Sequence, residues 1–115
     1  MIEIIEIPTD EIVDWESFFE VFKRALGFPD FFGENGNAWI DCLTYDDDGM
    51  SIPLPPLGSI LALRLEGTVD FIARCPEQFE ALIAWTAAVN DRRREDGSSL
   101  LAVIPQDYSK SRRFD

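Results

Sequence analysis

Three short apolar runs, set apart by long stretches with helical spacing, constrain this chain more than any other feature. Residues 1–7 (MIEIIEI), 59–65 (SILALRL) and 100–104 have strand length and strand composition, and Pro8 and Gly67 close the first two. Between the first and second runs, Trp15, Phe18, Phe19, Phe22, Ala25 and Leu26 recur at helical intervals over residues 14–26. Asp14 is placed to cap that helix and Gly27 to stop it. A short second helix is expected at about 37–43. Residues 69–74 suit another, and Pro76 suits the first position of a longer one running to about Arg94. Phe79, Leu82, Ile83, Thr86 and Val89 or Asn90 form its expected inward stripe, with Trp85 beside them. Residues 92–94, all Arg, fall in the last turn, where positive charge meets the negative end of the helix dipole, and Gly97 ends the helix. Helical crossovers are long enough to return each strand parallel to the last. The expected fold is therefore α/β, a small three-stranded parallel sheet with helices packed on it. The first run mixes alternation with continuity, which predicts a strand with much of both faces covered. Residues 1–105 are expected to form one domain and 106–115 a solvated tail.

The chain has 115 residues, enough for one modest core. Nine Phe and three Trp give it the apolar content to fold despite a formal charge of −12 from 22 acidic and 10 basic residues. That charge repels phosphate backbones and attracts cationic surfaces, so a nucleic-acid or membrane partner is not expected and a basic protein partner is. The same like charge favours a monomer when the protein is alone. Cys42 and Cys75 fall in helical segments with no metal or redox spacing, and buried thiols are expected. No leader-like N-terminal segment or membrane-length apolar run is visible, which makes the cytoplasm the expected compartment. There is no His, no phosphate-binding glycine loop, no dinucleotide fingerprint and no nucleophile elbow. Catalysis, cofactors and metals are accordingly not expected. Asp46-Asp47-Asp48-Gly49 lacks the alternating ligands and later Glu of a calcium loop, and it reads as a solvated acidic loop within 45–58.

Residues 28–44, FPDFFGENGNAWIDCLT, carry an aromatic pair, a Gly, an acidic residue and an Asn, then a short helix ending Asp-Cys-Leu-Thr. This segment, with the order of elements around it, resembles the signature of the barstar family. The resemblance implies a barstar-like fold and an intracellular inhibitor, an antitoxin or immunity protein, that binds the active site of a barnase-like ribonuclease with this loop and helix. Carboxylates would then stand where substrate phosphates lie, facing the cationic groups of a ribonuclease-type toxin. On that resemblance Asp41 matches the family's central carboxylate, Asn35 its loop Asn and Gly33 the small residue that lets partner backbone approach. Phe31 takes the place of a contacting Tyr without the hydroxyl, and Asn37 stands where a second Asp would. Ile40 replaces a Trp, Trp39 lying one position earlier, and Asp46 stands where an interface aromatic is expected. Thr44 closes the motif, and Glu80 matches a rim carboxylate if the last helix aligns without a gap.

Alone, Asp41 would be an ordinary solvated helix residue; the surrounding motif is what marks it. Trp39 and Phe32 are expected in the core, Cys42 packs with them, and Phe31 is open between core and interface. The departures at 31, 37, 40 and 46 leave a second possibility, an interaction or immunity module of the same fold directed at a partner that is not a nuclease. A carboxylate-dependent hydrolase is a distant third, because pairs of acids arise by chance in so acidic a chain.

Overall fold

The computed structural model describes residues 2–29, 33–44, 59–96 and 100–106. Strands β1 (Ile2–Ile7), β2 (Ile60–Glu66) and β3 (Leu100–Gln106) alternate with helices α1 (Trp15–Leu26), α2 (Gly36–Cys42), α3 (Thr68–Arg74) and α4 (Pro76–Asp96). The sheet has the order β1-β2-β3 with both pairs parallel, as the long helical crossovers require. Strand β3 runs two residues beyond the expected end and takes in Gln106, while Phe32, Gly97, the 45–58 loop and 107–115 lie outside the described residues.

Parallel register puts Ile2, Ile60 and Leu100 on one face of the sheet, with Ile4, Ala62 and Ala102 beside them. The odd-numbered residues face the other way. Ile7, Leu61, Leu63, Leu65 and Leu101 all belong to the core cluster, whereas of the even-numbered strand residues only the small Ala62, in the central strand, is fully buried. Successive right-handed crossovers in one direction place every helix on the same side of the sheet, so among the described residues the helices cover only the odd-numbered face. This corrects the expectation for β1: it is an edge strand, with Ile2 59% and Ile4 47% exposed. Ile2 and Ile4 serve strand propensity more than burial. Glu6 on that open face pairs with Arg64, and the guanidinium holds the Glu6 carboxyl below its ordinary value.

Helix α1 begins and ends as its residues dictate. Asp14 Oδ1 accepts from the Ser17 amide at 2.8 Å while Ser17 Oγ accepts from the Asp14 amide at 3.0 Å, a reciprocal cap for otherwise unpaired donors. Gly27 takes the left-handed conformation at the other end, φ 75°, which a side chain would oppose. The Ser17 amide, and then the Ser17 hydroxyl, draw the Asp14 carboxyl below its ordinary 3.8. A carboxyl depressed by folding stabilises the fold above its ordinary value, and that contribution is lost as pH falls through its folded value. The thermal midpoints of the wild type and Asp14→Asn, which caps without charge, should therefore differ at pH 6 and converge near pH 2. A difference that persists unchanged at low pH would contradict the charged cap.

The inward face of α4 is Gln78, Leu82, Thr86, Val89 and Arg93, all buried. It is rotated from the expected stripe. Ile83 is exposed, Phe79 and Trp85 are half-buried, and Asn90 ties the helix to β3 by donating to the Leu101 carbonyl at 2.8 Å and accepting from the Leu101 amide at 2.7 Å. Gln78 and Arg93, polar side chains at the two ends of the buried face, concealed the true stripe in an apolar pattern.

Candidate functional site

The residues 33–44 fold into a cap-and-helix unit clamped between α1 and α4. Asn35 is the N-cap of α2: its Oδ1 accepts from the Ala38 amide at 2.8 Å, and its Nδ2 donates to the Gly33 carbonyl at 3.1 Å. Its side chain is thus engaged in building the turn. Glu34, just before it, has φ 53°, a left-handed conformation uncommon for a residue with a side chain. Glu34 faces Asp14, Glu16 and Glu20 of α1 across a shallow concavity. Sequence reasoning counted Glu34 only as part of the motif, and its signal was the acidic residue between Gly33 and Asn35.

What seats α2 is aromatic. Trp39 is fully buried, with its ring 5.6 Å from Phe22 of α1 and 5.7 Å from Trp85 of α4, and Trp85 also stacks on Phe19 at 6.0 Å. Each such pair adds about 0.5–1.5 kcal/mol to the area it buries. Cys42 and Cys75 are buried as thiols, as expected. At the first position of α2, a Cβ on Gly36 would lie 2.7 Å from the Trp85 ring, whereas one on Gly33 would come no closer than 3.1 Å to the Asn35 amide nitrogen and 3.7 Å to the Ala38 Cβ. Close approach therefore demands glycine at 36 more than at 33. Gly36→Ala should cost about 1–3 kcal/mol by overpacking, read as a lowered denaturation midpoint. An unchanged midpoint would show that Trp85 yields freely.

The C-terminal end of α2 is bracketed by two consecutive arginines of α4. Arg93 is 0% exposed, and its Nε donates to the Leu43 carbonyl at 2.8 Å, where α2 leaves carbonyls without helical partners. Burial pushes its guanidinium down to about 10, still well above neutrality, so it is charged and meets the negative end of the helix. Arg92 lies on the solvent side. Its Nη1 donates to Asp41 Oδ1 at 2.8 Å and to Thr44 Oγ1 at 3.5 Å, while Thr44 Oγ1 donates to the Asp41 carbonyl at 3.3 Å. The Asp41 and Arg92 side chains are 47% and 54% exposed, so this ion pair faces water.

Of the residues singled out by sequence, Gly33, Asn35, Asn37 and Asp41 lie together on the loop and helix, the first three exposed and Asp41 partly so. Ile40 is half-buried against the core, and Thr44 is buried beneath Asp41. Glu80 is exposed but apart: twelve residues of helix separate it from Arg92, about 18 Å along the axis and about 120° around it. Phe31 and Asp46 lie outside the described residues. Neither arginine was visible as a site member from sequence, where three consecutive arginines read as charge at a helix end.

Among the described residues no group of acids, thiols or imidazoles could hold a metal ion, and no helix is long and apolar enough to cross a membrane. The arrangement offers an exposed carboxylate on a rigidly seated helix end, next to an acidic turn. Comparison with curated proteins gives no match. The family model for barstar, the barnase inhibitor, matches residues 2–105, from the first strand through nearly all of the last, and the chain belongs to the barstar family.

Proposed function

We propose that this protein inhibits a barnase-like ribonuclease by inserting the turn at 33–35 and the end of α2 into the enzyme's cationic active site. The observation that supports it best is the Asp41 carboxylate, presented on a helix that Trp39, Trp85 and Arg93 hold fixed. A carboxylate in a fixed place can take the position of a substrate phosphate without a large ordering cost on binding. Gly33, Asn35 and Asn37 supply the exposed polar surface beside it, with Phe31, Ile40 and Asp46 completing the footprint. Thr44 supports Asp41 from below, and Glu80 contributes only to a partner that reaches far along α4. The family description is that of an inhibitor rather than an enzyme, and occlusion needs no catalytic group on this side of the interface.

One observation favours a second reading, in which the same surface binds a protein that is not a nuclease: Asp41 is already ion-paired with Arg92. Co-expression separates the two. Cells producing a barnase-type ribonuclease should keep their RNA and survive when the full chain is made with it, and Asp41→Ala should remove the protection. RNA loss that is the same with and without the chain would favour the second reading.

A further inference from the structure

Asp41 does not stand bare in the free protein, and the residue that covers it is not needed to hold the fold. The end of α2 is fixed from beneath by Arg93, buried and bonded to the Leu43 carbonyl, and by the Trp39–Trp85 contact. Arg92 adds a pair that is about half exposed on both sides, the class of ion pair that contributes little to stability. The geometry is also the weaker one for arginine: a single nitrogen, Nη1, reaches a single oxygen, Oδ1, in place of a two-pronged fork. Asp41 Oδ2 has no partner among the described residues. A cation brought against Asp41 by a partner would therefore meet a carboxylate shared with a second cation, and two positive charges would be pressed together as water leaves.

We infer that Arg92 is a built-in counter-cation of the binding site, which holds Asp41 in the free protein and gives it up to a guanidinium or ammonium group of the partner. This rests on the inhibitor proposal and adds a regulator to it: the wild-type affinity is set below what Asp41 could deliver, and the difference is the work of displacing Arg92. Arg92 is thus a specificity-determining residue that favours partners whose cationic group can outcompete it or whose surface offers Arg92 an acceptor once it turns away.

The test uses the full chain and barnase, the enzyme named in the family's description, with dissociation constants measured for wild type, Arg92→Gln, Arg92→Lys, Asp41→Asn and the Asp41→Asn/Arg92→Gln double variant. Arg92→Gln should bind about tenfold more tightly, and Arg92→Lys, which keeps the charge, within about twofold of wild type. In the Asp41→Asn background, Arg92→Gln should change binding by no more than about twofold, because the competition has lost its object. Thermal midpoints of the Arg92 variants should match wild type. Equal or weaker binding by Arg92→Gln, with Asp41→Asn still impaired, overturns the inference and leaves the inhibitor proposal standing. No binding by any form, or wild-type binding by Asp41→Asn, overturns both.

Discussion

Asp41→Ala is expected to weaken binding to a barnase-type ribonuclease by about 2–5 kcal/mol, the range for truncating one partner of a buried interfacial charge pair, of which the barnase–barstar complex is the worked example, carried over to this chain. The reason for so large an effect is asymmetric. An active site that stabilises phosphate charge gathers cations, and an inhibitor that buries them without a carboxylate leaves them desolvated and unpaired. Asp41 is the carboxylate at the end of α2, and its half-exposed side chain reaches solvent where the neighbouring Cys42, Leu43 and Thr44 are buried. The loss should lie mainly in faster dissociation, read by surface-based kinetics, since the net charge that steers encounter changes by only one unit of −12. A loss confined to the association rate would mean that Asp41 lies at the rim.

Arg93→Ala is expected to destabilise the fold by about 3 kcal/mol, a sum of the cavity left by a large buried side chain and the penalty of a Leu43 carbonyl that loses its donor, reduced by relief of a desolvated charge. The fully buried guanidinium and its 2.8 Å bond to that carbonyl are the basis. Arg93→Met should recover about half of the loss, because it refills the volume but not the hydrogen bond. Chemical denaturation of the three proteins measures this directly. Because Arg93 anchors the end of α2, the Met variant should also bind a ribonuclease more weakly than its stability alone would suggest. If Met restores full stability, packing and not the hydrogen bond holds α2 in place.

Local chemistry was what the residues disclosed most readily. Asp14 and Gly27 bound α1 because a short acceptor side chain and a residue free to take positive φ are what helix ends need, and both signals are confined to neighbouring residues. The parallel sheet followed from the length of the crossovers. The core role of Trp39 followed from its size, and α2 started slightly earlier than its apolar residues suggested because Asn35 caps it. The face that each strand and helix buries was harder to read. Both faces of β1 carry apolar residues, and only the one-sided placement of the helices leaves Ile2 and Ile4 in water. Arg93 was hidden for the opposite reason, a charge placed where pattern reading expects an apolar residue. Arg92 and Asp41 are far apart in sequence, and nothing local to either announces the pair. A motif identifies the residues offered to a partner, but the tertiary fold decides what already occupies them.

The most direct test of the central claim is a titration of barnase with the full chain, wild type and Asp41→Ala in parallel, following RNA cleavage at fixed substrate. Wild type should abolish cleavage as it reaches equimolarity with the enzyme, and Asp41→Ala should need a large molar excess to do the same. Cleavage that continues undiminished at a large excess of the wild-type chain, or falls identically with both proteins, would contradict inhibition centred on the end of α2.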